Sequence, residues 1–184
     1  MNNTITYKKI LIIACIICIL LGVFLHFAYE LSGKNVLVGM IAPVNESVWE
    51  HLKLVFIPFT LFSIAFYFYT KKKFSNMLLV TLFSNIVGMF VIVTLYYLGN
   101  VIFGSDNMVF NIISYILGMI TAFCIFYFGI YNKEFIQETK DSTTIGVCAL
   151  SLLLTMFILN TFSPIKLDIT RDPTTKTYGI YKQV

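Results

Sequence analysis

Charge is scarce in this sequence. Asp, Glu, Lys and Arg together make up 12% of its 184 residues, roughly half the share in an ordinary soluble domain. Apolar residues make up 58%, and mean hydropathy is +0.85. Such a chain cannot cover itself with a polar surface, which excludes nucleic-acid binders, cytosolic nucleotide enzymes and secreted disulfide scaffolds. Cysteine is also sparse: Cys15, Cys18, Cys124 and Cys148 all lie in apolar runs, where thiols pack as small hydrophobes. Cys15 and Cys18 have the spacing of a metal or redox pair, but a second pair and a polar setting are missing. They are read as packing residues. No internal repeat is present, and an odd number of apolar runs makes no simple inverted pair.

Ionisable residues are absent from most of the apolar sequence. Five runs, 10–29, 54–70, 77–98, 108–131 and 144–162, are each long enough to cross a hydrocarbon core of about 30 Å as a helix. The second helix is expected to begin near Val48. The last four runs contain no Asp, Glu, Lys, Arg or His. Proton relays, voltage sensors and ion-coupled carriers place such groups at membrane depth, so their absence argues against a polar pathway. Asn85, Asn111 and Asn160 are expected to hydrogen-bond between helices. Lys8 and Lys9 before the first run raise the question of a signal peptide. The run continues well past Cys15 without a small-residue cleavage site before Glu30, so it is read as an uncleaved first span.

The lysines set the expected orientation. With the N-terminus cytoplasmic, Lys8, Lys9, Lys71, Lys72, Lys73, Lys133 and Lys140 lie inside. Lys34, Lys53, Lys166, Arg171, Lys176 and Lys182 then lie outside. In the loops between spans this is five against two, which favours an N-in, C-out arrangement. The expected fold is an all-α integral membrane protein: a five-span bundle over residues 1–163 and an extracytoplasmic tail over 164–184.

Polar residues concentrate where the first span ends and the second begins. His26 and Glu30 are followed by Asn45-Glu46-Ser47-Val48-Trp49-Glu50-His51-Leu52-Lys53, which brings both histidines of the chain and three of its nine acidic residues into one region. Antiparallel spans put these two ends at the same face. His26 and Glu30 are one helical turn apart. With His51 and a carboxylate from Glu46 or Glu50 they make a nitrogen and oxygen set that suits zinc or iron. The remaining glutamate is then a candidate base for a metal-bound water. A structural reading uses the same residues. Ser47 and Glu50 have capping-box spacing, in which each side chain accepts the other's amide. Trp49 suits an interfacial aromatic belt, Lys53 can extend to headgroups, and His26 can pair with Glu30.

In the tail, Ile165, Leu167 and Ile169 alternate with polar residues. Asp172-Pro173 then opens a turn, and 177–181 is strand-like. A β-hairpin or an extended tail is expected, either covering the His/Glu region and bringing Asp168 or Asp172 near it, or lying in solvent or on the headgroups and shielding loop backbone.

The segment Pro43-Val44-Asn45-Glu46-Ser47-Val48-Trp49-Glu50-His51-Leu52-Lys53, with His26, Tyr29-Glu30, Asp172-Pro173 and Tyr178-Gly179, resembles a family of small, uncharacterised multi-pass membrane proteins of Gram-positive bacteria. The resemblance spans nearly the whole chain. Lys176 departs from it, standing where that family more usually has Gly. It implies a polytopic plasma-membrane protein and brings no activity. Three functions therefore stay open: a metal-assisted hydrolase acting on a lipid or envelope substrate, a small-molecule binding or transport component, and an accessory protein that docks a partner through Trp49 or Lys53.

Overall fold

The computed structural model describes residues 2–104, 107–132, 135–137 and 139–180. Lys133, Tyr181, Lys182 and the end of the tail lie outside the described residues. Among the described residues seven helices form: α1 (Asn2–Leu31), α2 (Val36–Gly39), α3 (Val48–His51), α4 (Lys53–Tyr69), α5 (Met77–Phe103), α6 (Met108–Tyr131) and α7 (Ser142–Phe162), followed by a 3₁₀ turn at Asp168–Thr170. Five segments are long and apolar enough to cross a membrane: Ile5–Leu31, Val48–Tyr69, Met77–Phe103, Met108–Tyr131 and Ser142–Phe162. The second begins at Val48 as expected, since α3 continues into α4 through Leu52, whose amide reaches the carbonyls of Val48 and Trp49, each at 3.2 Å.

Local chemistry sets the helix ends. Ser47 accepts the Glu50 amide ahead of α3, and Asn107 accepts the Phe110 amide ahead of α6, each satisfying a donor that the first turn leaves open. Gly104 ends α5 in a left-handed conformation, which glycine adopts without the Cβ penalty of other residues.

The central helix is α4, with 67% of its most apolar window buried against 22% in the first span. Phe59 and Phe66 of α4 pack edge-on against Phe126 of α6. α5 and α6 approach each other closely. A Cβ on Gly88 would stand 2.7 Å from the Gly118 carbonyl, and one on Gly118 would stand 2.8 Å from the Gly88 carbonyl. Without a side chain at either position the two backbones come into contact, as in small-residue packing of apolar helices. Asn85 donates to the Thr60 hydroxyl at 3.0 Å, an interhelical bond of the kind expected. Asn160 instead caps the tail, its side-chain oxygen accepting the Ile165 amide at 3.0 Å.

Successive spans run antiparallel. The C-terminal ends of α1, α5 and α7 therefore meet the N-terminal ends of α4 and α6, and the tail crosses this end. The expected β-hairpin is not supported. No strand occurs among the described residues, and the tail holds only one isolated antiparallel bridge, between Arg171 and Tyr178. Side chains take the backbone groups that a ladder would use. The Thr170 hydroxyl accepts the Leu167 amide at 3.1 Å, and the Asp172 carboxylate accepts the amides of Thr174 and Thr175 at 2.7 and 3.0 Å. These local bonds close turns in preference to a hairpin. The tail then docks on the bundle through the Ile180 amide to the Thr161 carbonyl at 2.9 Å and Tyr97 to Asp168 at 2.9 Å.

Lys176 sits in this turn with φ of 61°, a left-handed conformation that glycine tolerates best. Replacing it should relieve strain at little cost in contacts, because its side chain is exposed and bonds only the Pro173 carbonyl. Lys176→Gly is expected to stabilise the fold by about 1 kcal/mol, read as a higher melting temperature in detergent.

Candidate functional site

Two polar clusters form at the end crossed by the tail. The first is a buried ion pair. Lys53 and Glu50 are 0% and 1% exposed, and the ammonium donates to the Glu50 carboxylate at 2.7 Å. It also donates to the Thr161 hydroxyl at 2.6 Å and the Gly39 carbonyl at 3.0 Å. The carboxylate in turn accepts the Val44 amide at 3.1 Å and the Thr161 hydroxyl at 2.8 Å. Every strong donor and acceptor of the pair is therefore matched, which is what makes two charges tolerable away from water.

This pairing changes the capping box. Ser47 accepts the Glu50 amide at 3.4 Å, but Glu50 does not return to the Ser47 amide, because its carboxylate belongs to Lys53. Asn45 takes the Ser47 amide instead, at 2.9 Å. Lys53 does not extend outward but lies fully inside. Trp49 is half-buried and packs on Phe157 of α7 with ring centres 5.1 Å apart.

The second cluster joins His26 of α1, Glu46 of the loop and His51 of α3. One donor atom from each lies within 4.8 Å of the others. His51 Nδ1 is 2.9 Å from the Ser47 carbonyl. A carbonyl can only accept, so this nitrogen carries the hydrogen. That turns Nε2 toward Glu46 Oε2, 3.4 Å away. The two histidine rings are 5.0 Å apart, and the buried Nδ1 of His26 has no hydrogen-bond partner among the described residues. Glu30 is not part of this group. Its carboxylate is 68% exposed and meets Lys34 at 3.6 Å, one turn on along the chain.

Glu46 separates two hollows. The outer one, of about 270 Å³, is bordered by His26, Glu30, Asn45, Glu46 and Asp172. The inner one, of about 80 Å³, lies between α3, α5 and α6 and is bordered by Glu46, His51, Tyr96, Asn111, Ser114 and Tyr115. Asn45 donates to the Gly179 carbonyl at 2.9 Å and Asp172 accepts the Glu46 amide at 3.4 Å, so the tail forms part of the outer wall. Tyr178 is half-buried in the tail beside this wall. Thr161 and, of the inner-hollow residues, Tyr96, Ser114 and Tyr115 were not anticipated from sequence. Each lies more than 40 positions from the segment it meets, and no local spacing signals them.

The hydrogen bond with His51 holds the Glu46 carboxyl below its ordinary value of 4.5 against the opposing effect of burial. Burial acts against ionisation of Asp172, which is 4% exposed, but the amides of Thr175 and Thr174 outweigh it and lower its pKa from 3.8.

With these local contacts in place, the chain is an all-helical protein with five membrane-length helices and a His/Glu centre at one end. It belongs to a family of unknown function, DUF6512, whose profile matches residues 1–180. No curated protein and no solved structure matches it.

Two predictions follow from the clusters. Lys53→Met strands a buried carboxylate and should cost about 3–5 kcal/mol, whereas Lys53→Met combined with Glu50→Met should recover most of that loss; thermal melts of both variants measure it. The two lowered carboxylates contribute stability that is complete above their ordinary values and is lost as pH falls through the folded ones. The melting temperature should therefore start to fall below about pH 4.5, and Glu46→Gln with Asp172→Asn should flatten that fall.

Proposed function

We propose that the protein is a multi-pass protein of the bacterial plasma membrane, N-terminus cytoplasmic and C-terminus outside, whose outward centre holds a divalent metal and hydrolyses a lipid or envelope substrate. The membrane location rests on the five membrane-length helices. The orientation rests on Lys8, Lys9 and Lys71 to Lys73, which lie at the end opposite the centre, as the positive-inside rule requires.

The observation that carries the metal is the convergence of His26, Glu46 and His51 within 4.8 Å. Two histidines and a carboxylate are a ligand set used by catalytic zinc, with further positions open to water or substrate. The bond from His51 Nδ1 to a backbone carbonyl orients Nε2 inward, a common arrangement behind a metal-bound imidazole. A metal there would polarise a substrate carbonyl and lower the pKa of a bound water. Glu46 serves this reading as a ligand in the place first expected of Glu30. Glu50 serves it indirectly, by fixing α3 through Lys53.

A second reading, a site that binds a small molecule without metal, is favoured by the outer hollow and its mixed polar wall. Elemental analysis of detergent-purified protein separates the two. Near-stoichiometric zinc or iron in wild type, retained in Glu30→Gln and lost in folded His26→Ala, His51→Ala and Glu46→Gln, is the expected result. Metal-free wild type after supplementation would sink the metal reading and leave ligand-dependent stabilisation as the measurement to pursue.

A further inference from the structure

A groove of about 390 Å³ runs between α1 and α6, away from the His/Glu centre. Its origin is geometric. Halfway along α1 the helix is held to α6 by the Tyr115 hydroxyl, which donates to the Ile19 carbonyl at 3.0 Å. Toward its N-terminus α1 leans instead on α4, where Tyr7 packs edge-on against Phe66 and Tyr69 at 5.6 and 6.3 Å. The two helices therefore diverge, and a wedge opens toward Lys8. Leu11 and Phe123 form its floor and are 4% and 5% exposed, while Ile12 and Ile16 on its wall are 55% and 56% exposed.

The wedge is apolar along its length and cationic at its mouth. Lys8 borders it, with Tyr127 across from it on α6, and no acidic residue is among the described residues that line it. The packing of Tyr7 on Tyr69 also sets Lys8 and Lys9 at the same end as Lys71, Lys72 and Lys73. A long apolar slot ending at an ammonium matches an amphiphile with a hydrocarbon chain and an anionic head. Given a membrane-spanning chain with its N-terminus cytoplasmic, a premise taken from the proposed function, the surrounding bilayer supplies that molecule at the cytoplasmic interface. Tyrosine and lysine are the side chains that sit at headgroup level, and basic residues there attract anionic lipids. We infer that this wedge holds one acyl chain of an anionic phospholipid, with its phosphate on Lys8 and within reach of the Tyr127 hydroxyl.

The full chain, stripped of lipid in detergent and then given phosphatidylglycerol or phosphatidylcholine of the same acyl length, tests this by native mass spectrometry. One phosphatidylglycerol should be retained, at least tenfold more strongly than phosphatidylcholine. Lys8→Ala should remove that preference, and Ile16→Trp, which fills the wedge, should reduce retention of both lipids. Lys8→Arg should keep the preference, and it serves beside Lys8→Ala should the tryptophan variant fail to fold. Equal retention of the two lipids, or retention unchanged in Lys8→Ala, would overturn the inference. Resistance of the chain to alkaline extraction from phosphatidylcholine vesicles reads the membrane premise separately. A chain that stays inserted without selective lipid overturns this inference alone, and one that is extracted overturns the membrane reading with it.

Discussion

The buried pair of Lys53 and Glu50 holds the polar end of the molecule together. An isolated charge in such surroundings is too costly to keep, so the pair persists only because each of its strong hydrogen-bonding positions is answered. The answers come from separate parts of the chain: Gly39 at the end of α2, Val44 in the loop that follows it, and Thr161 at the end of α7. The pair thus converts a local i,i+3 contact into a three-way junction. Thr161 extends it further, since its carbonyl receives the tail through Ile180.

The His/Glu centre depends on this junction. Glu46 and His51 lie on either side of the Ser47 cap, and the carboxylate of Glu50 ties that turn to α7. His26 comes from α1 and is placed by packing of that helix on α4. Small residues allow the close approach: a Cβ on Gly22 would meet the Leu54 carbonyl at 2.8 Å and would overlap the Tyr115 hydroxyl. Apolar packing at depth and charge pairing at the end are therefore coupled. Helices that close tightly along the bundle bring their polar ends into register, and the tail closes over the result.

Much of the architecture was legible in particular residues. The long apolar runs marked the five helices because transfer to an apolar environment sums over about 20 neighbouring side chains and needs no tertiary knowledge. Ser47 was readable as a cap, since a cap is settled within four residues. The same spacing misjudged the second half of the box, because Lys53 competes for Glu50 and wins with a charge-assisted bond. The alternation of Ile165, Leu167 and Ile169 suggested a strand, but Thr170 and Asp172 draw the backbone amides into local turns. Lys176 occupies a left-handed turn position, which accounts for the glycine that the family resemblance led one to expect there.

By itself the sequence determined how many membrane-length helices form, where the last four begin to within a few residues, and that both histidines stand at one end, whereas α1 starts at Asn2, well ahead of its apolar run. Hydropathy and capping are local, and antiparallel connection follows from short loops. Tertiary structure alone decided which carboxylate meets the histidines. Glu30, Glu46 and Glu50 are chemically alike and all close in sequence to the site. Glu30 meets Lys34 at the rim, Glu50 is claimed by Lys53 and Thr161, and Glu46 is left facing His51. Those three pairings are local in sequence and open alike to each carboxylate; what withdraws Glu50 from the histidines is its bond with Thr161, 111 positions away, and hydrogen bonding at such a separation leaves no periodic mark on the sequence.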